Sequence, residues 1–197
     1  MTRSHHRPAP RSGEFFDAFA GMDDPALLSE AADRAAQLLV RGARESEDAA
    51  VAERLVHLAD EEGIEAIAEV WAHAAADSLA GCLWRLYLLR SWVHADPQGV
   101  AHQFEAGRDS AEVARVVAGV PDPPDPDGLR RMIDAVLRGI ADGDFADVLF
   151  RAAAFGRVVA TGRAAQADTS EESVRRMLAL AEQLEAAGHL ELEGRLA

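Results

Sequence analysis

Residues 79–94 read LAGCLWRLYLLRSWVH, and their pattern decides the fold class. At about 100° per residue, Leu79, Leu83, Leu86 and Val93 share one side of a helix. Cys82, Tyr87 and Leu89 fill much of the remaining circumference, which leaves little polar surface for water. A helix apolar on most sides belongs in the middle of a bundle. Residues 145–161, FADVLFRAAAFGRVVAT, have the same character. The two segments also align through their flanks. GIEAIAEVWAHAAADS at 63–78 matches GLRRMIDAVLRGIADG at 128–143, and Trp84-Arg85 falls on Phe150-Arg151. The alignment suggests two repeat halves, 63–94 and 128–160, each a helical hairpin.

Working outward, helix punctuation recurs. Asp24-Pro25 and Asp96-Pro97 each place a capping carboxylate before a proline at the first helical position. The first opens a helix through Leu27, Leu28, Ala31, Ala35, Leu38 and Leu39, with Gly42 as its stop. Ser46 caps a helix through Val51, Leu55, Leu58 and Ala59. The next carries Ile64, Ile67, Ala68, Trp71, Ala74 and Ala75 up to Asp77-Ser78, which caps Leu79–His94. A short helix with Val100 and Phe104 follows, then one with Val113, Val116 and Val117 capped by Asp109 or Ser110. VPDPPDPDG at 120–128 reads as a non-helical, Pro-rich linker. Helices are expected at Leu129–Ile140, Phe145–Thr161 and Glu171–Ala187, the last opened by a Thr169/Glu172 capping box and stopped by Gly188. No run alternates as a strand would. The expected fold is all-α: about eight to ten helices in one bundle over residues 13–197, behind a disordered tail at 1–12. Phe15, Phe16 and Phe19 would give a short helix at Glu14–Ala20 a docking face.

The 197 residues include 20 basic and 34 acidic side chains, for a net charge of −14. Every basic one is Arg; Lys and Asn are absent. Without an ε-amine there is no phosphate-loop Lys and no Schiff-base chemistry. The chain shows no nucleophile elbow, dinucleotide fingerprint or HExxH, and no cofactor is expected. The single Cys82 excludes an intramolecular disulfide and a Cys-based zinc site, and its apolar context predicts a buried thiol. No apolar run is long enough to span a bilayer, and the Arg-bearing N-terminus lacks the apolar segment of a signal peptide. These readings favour the cytoplasm and no membrane. The negative charge disfavours nucleic acid.

That charge is uneven. Residues 45–77 hold ten acids against one Arg, whereas 129–163 hold six Arg against four Asp. Glu53, His57 and Glu61 form one four-residue stripe, and Glu65, Glu69, His73 and Asp77 form another. Projection puts both stripes opposite the apolar faces, so no metal site is expected. A metal-dependent enzyme would need them to converge. Glu53, Glu61, Glu65 and Glu69 are therefore assigned to a partner surface. Its counterpart is a basic protein, or the Arg130, Arg131 and Arg138 face of a second copy in a homo-oligomer. The function expected is a non-enzymatic interaction or regulatory protein, with no catalytic residue assigned.

The alternative is a small-ligand pocket. Arg90 projects into the apolar side of Leu79–His94, where a charge must pair, reach solvent or face a ligand. Trp71, Tyr87, Trp92 and His94 complete the ligand-binding candidates. Trp92 and Trp84 point away from the apolar stripe, toward a pocket or an interface. Asp122, Asp125 and Asp127 hint at a calcium loop, but Pro123 stands where a ligand is needed, so a rigid connector is the reading adopted.

Overall fold

The computed structural model describes residues 25–46, 64–120, 125–142 and 144–197. Among these residues there are eight α-helices and no strand. They are α1 (Pro25–Ser46), α2 (Ile64–Trp71), α3 (Leu79–Ala95), α4 (Pro97–Gly107), α5 (Glu112–Ala118), α6 (Pro126–Asp142), α7 (Phe145–Ala164) and α8 (Glu171–Leu192). The expected 1–12 tail, the Glu14–Ala20 helix and the helix through Val51 and Leu58 lie outside the described residues.

Short polar side chains set most helix starts. Ser78 accepts the Gly81 N–H at 3.1 Å, Asp96 the Gly99 N–H at 2.9 Å, and Asp144 the Asp147 N–H at 2.9 Å. Each satisfies a donor that the helix itself leaves free. The linker expectation needs correcting at its end. Pro126 opens α6, and Asp125 Oδ1 accepts the Gly128 N–H at 2.7 Å. Asp125-Pro126 is thus a further cap-plus-proline start, and the Asp125 carboxylate caps a helix rather than offering a calcium ligand.

Other boundaries also move. α8 is capped by Ser170, which accepts the Ser173 N–H at 3.2 Å, while Glu172 pairs with Arg175 and Arg176. α5 begins after Ala111 with no side-chain cap, and the Asp109 carboxylate lies 3.6 Å from Arg108 instead. α2 ends at Trp71, so Ala74 and Ala75 fall beyond it. The Ala75 carbonyl accepts from both the N–H and the hydroxyl of Ser78, which folds the chain into the start of α3. α1 runs past Gly42 to Ser46, and α8 runs past Gly188 to Leu192. Gly188 is there for packing: a Cβ on it would sit 2.9 Å from Cε1 of Phe150. The left-handed glycine that follows α8 is Gly194, at φ 67°.

Both helices expected at the centre are buried on most sides. α3 buries Leu79, Leu83, Leu86, Leu89 and Val93; α7 buries Leu149, Ala152, Phe155, Val158 and Val159. α7 packs most extensively on α8, then on α4 and α5. α3 packs on α1, α2 and α6, and α6 joins the two groups by touching α3 and α7 alike. The helix of the first aligned hairpin, α2, has 8 residues against 17 for its counterpart α6. No helix among the described residues is long and apolar enough to cross a membrane.

Small residues set the closest approach. A Cβ built on Gly162 in α7 would lie 1.7 Å from the Gln103 carbonyl oxygen and 2.9 Å from the Gly107 nitrogen in α4. α4 and α7 therefore cross with backbone against backbone. One buried stack runs through this region: the Phe104 and Phe155 rings lie 5.7 Å apart and nearly parallel, at 19°.

Candidate functional site

Arg90 is the buried charged residue of the described core, with 3% of its surface exposed. Its position follows from α3 itself, where Leu86, Tyr87 and Val93 are its buried neighbours one turn away. Its Nε donates to Asp134 Oδ1 of α6 at 2.8 Å. His94, one turn further on, places Nε2 3.1 Å from the same oxygen. One carboxylate thus joins a guanidinium and an imidazole across the α3–α6 interface. The sequence offered three outcomes for Arg90, an acid from another helix, solvent at the helix end or a ligand, and the geometry supplies the acid.

The other ligand-binding candidates separate into distinct contacts. Trp71 and Tyr87 stack with ring centroids 6.3 Å apart, and Trp71 Nε1 donates to the Ala32 carbonyl at 3.1 Å. That bond ties α1 to the α2–α3 corner. Burial pushes the Tyr87 phenol far above its ordinary value, and the nearby Arg90 opposes part of the rise. Trp92 turns the other way, toward α7. It lies 6.5 Å from Phe155 and beneath Arg163, whose guanidinium carbon is 4.5 Å from the ring centroid. Arg163 is held there by Gln103 at 2.7 Å and Ser173 at 3.1 Å. Trp71, Tyr87, Arg90, Trp92 and His94 therefore fall into three contact groups. Asp134 completes one and Arg163 another; sequence reasoning named neither as a site residue.

The acidic partner surface is only partly in view. Glu53, Glu61 and His57 lie outside the described residues, as do the side chains of Glu65 and Glu69. His73 and Asp77 are exposed but lie beyond the end of α2, so they do not continue its face. No group of three or more metal-ligating side chains occurs among the described residues. On the basic face, Arg130 bonds Asp127 at 3.0 Å and Arg131 lies 3.9 Å from Asp125.

Cys82 is buried as expected, with its sulfur 3.7 Å from the Ala76 carbonyl oxygen. Burial pushes its thiol from an ordinary 9.0 up to about 12. The folded chain then holds the proton more tightly than the unfolded chain does. This contribution to stability is complete below pH 9 and is lost as pH rises from there toward 12. An aromatic disulfide reagent at mildly alkaline pH is expected to label Cys82 only after denaturant is added. Fast labelling of the native chain would contradict the burial.

The remaining feature is a groove that sequence reasoning did not locate. It lies between α5, α7 and α8 and has a volume of about 550 Å³. Ala114 and Val117 come from α5, Phe150, Ala153 and Ala154 from α7, and Asp147, Arg157 and Glu185 mark its polar edge. Arg157 of α7 and Glu185 of α8 form an ion pair. Val117 is 43% exposed and the adjacent Val116 is 68% exposed, so α5 presents an apolar ridge beside an apolar floor. The signal for it was the stretch AEVARVVAG at 111–119, whose two successive valines cannot both face one core from a seven-residue helix.

Comparison with family models, with curated proteins and with solved structures finds no match to this chain. The functional reading therefore rests on these contacts and on this groove.

Proposed function

We propose that this chain is a non-enzymatic, cytosolic interaction protein that docks a polypeptide segment in the α5/α7/α8 groove. The observation that carries this reading is the exposed Val116–Val117 ridge beside the floor of Phe150, Ala153 and Ala154. Apolar surface concentrated in one place, with charged groups only at its edge, is characteristic of a surface that becomes covered. The closure of Arg90 on Asp134 and His94 supports a structural role for that cluster, which leaves the groove as the better candidate. The excess of acids at 45–77 would speed encounter with a basic partner without fixing where it docks.

The test is a photo-crosslinking residue at position 117 of the full chain, with the same residue at exposed Glu182 as a control. The expected result is an adduct at 117 that maps to one segment of one polypeptide and is competed by a synthetic peptide of that segment. Equal, scattered labelling at 117 and 182 would overturn the reading.

A further inference from the structure

We propose that the groove takes a second copy of this chain, through a two-fold contact in which the α5 ridge of each copy enters the groove of the other. This rests on the reading of the groove as a polypeptide-docking surface. Two observations point to self-pairing.

The first is that knob and hole share one face. Val117 lines the groove and also belongs to the ridge with Val116. A patch that carries its own complement pairs with itself about a two-fold axis, each copy giving what the other receives. The floor suits such a visitor. Beside Phe150, the side chains of Ala114, Ala153 and Ala154 project little, so the Val116–Val117 ridge can approach closely.

The second is the order of charge along α7. Asp147 stands at one end of the groove and Arg157 at the other, about 15 Å further along the helix. A two-fold axis that reverses α7 between copies sets Asp147 of one copy toward Arg157 of the other, twice. The parallel arrangement would set like charge against like. Arg157 is already bridged to Glu185, but both side chains remain partly exposed and a guanidinium has five N–H donors. It can therefore donate to a further carboxylate.

The test is the mass of the purified full chain by light scattering and sedimentation equilibrium, from low micromolar to several hundred micromolar. The expected result is a dimer that dissociates on dilution. Val116→Glu combined with Val117→Glu should weaken it about 100-fold or more, with helix content unchanged by circular dichroism. Asp147→Arg and Arg157→Glu should each weaken it, and the double exchange should recover part of the loss by restoring opposite charges across the axis. A wild-type chain that stays monomeric over the whole range overturns the proposal, as does a dimer indifferent to the valine substitutions. A monomer that nonetheless crosslinks another polypeptide at position 117 overturns the second copy as occupant while leaving the docking surface in place. Absence of any specific adduct at 117 removes both.

Discussion

Asp134→Ala is expected to lower the stability of the folded chain by about 3 kcal/mol. The Arg90 side chain is 4% exposed and Asp134 18% exposed, so their 2.8 Å bond is made largely out of water. Removing the carboxylate leaves the guanidinium in place, without the acid that α6 brings to it. His94 loses the same partner. The cost comes mainly from the buried guanidinium losing this carboxylate rather than from the intrinsic worth of the pair. The double replacement of Arg90→Met with Asp134→Leu should therefore cost much less than Asp134→Ala alone, because both charges leave together. Urea unfolding followed by circular dichroism, on Arg90→Met, Asp134→Leu and the two combined, gives the coupling directly. Near-zero coupling would show that Arg90 does not depend on Asp134. It would then reopen the view that this guanidinium serves a ligand.

Gly162→Val is expected to be at least as damaging, with a loss of more than about 3 kcal/mol or failure to fold. The reason is the identity of the obstructing atoms. The Gln103 oxygen 1.7 Å from a built Cβ, and the Gly107 nitrogen at 2.9 Å, belong to backbone and cannot swing aside as a side chain does. Relief would require moving α4 away from α7, which would unstack Phe104 from Phe155. Gly42 provides the internal contrast. It lies within α1, yet a Cβ there meets nothing within 4 Å. Gly42→Ala should be neutral or stabilising by about 0.5–1 kcal/mol, because alanine restricts the unfolded chain and favours helix. Thermal unfolding of the two variants distinguishes them by sign. Equal effects would mean that the α4–α7 crossing is looser than the backbone distances state.

The same two glycines show what was legible in the sequence. Gly42 reads as a helix stop, and Gly162 falls just past the expected end of the Phe145–Thr161 helix, so the sequence does not distinguish a close crossing from open surface. Periodicity specifies which residues share a face, and it identified α3 and α7 as buried helices because nearly every face of each is apolar. It carries no information about which other helix arrives at a given face. That is why Arg90 was recognised as a charge needing a partner while Asp134, 44 residues away, was not. Gly188 was misread for a related reason: a glycine near a helix end resembles a stop unless the ring of Phe150 is known to lie above it. Asp125-Pro126 was obscured by its setting, since the preceding prolines made the whole stretch look non-helical. The groove was invisible because its floor of Phe150, Ala153 and Ala154 has a periodicity that assigns it to core, and because its walls come from α5 and α8, separated by more than fifty positions in the chain.

The dominance of the α7–α8 contact also has a bearing on how the chain assembles. Only six residues, 165–170, separate the two helices that touch most, so bringing them together costs little loop-closure entropy. The bidentate Arg41–Glu191 bridge, by contrast, spans 150 positions, and the Trp71 bond to Ala32 spans 39. Helix α1 is therefore fastened by long-range contacts that become worthwhile once the C-terminal pair is in place. In topological terms the molecule is a local hairpin of low contact order onto which a distant helix is clasped. The first of the described helices is then expected to be among the last to gain protection.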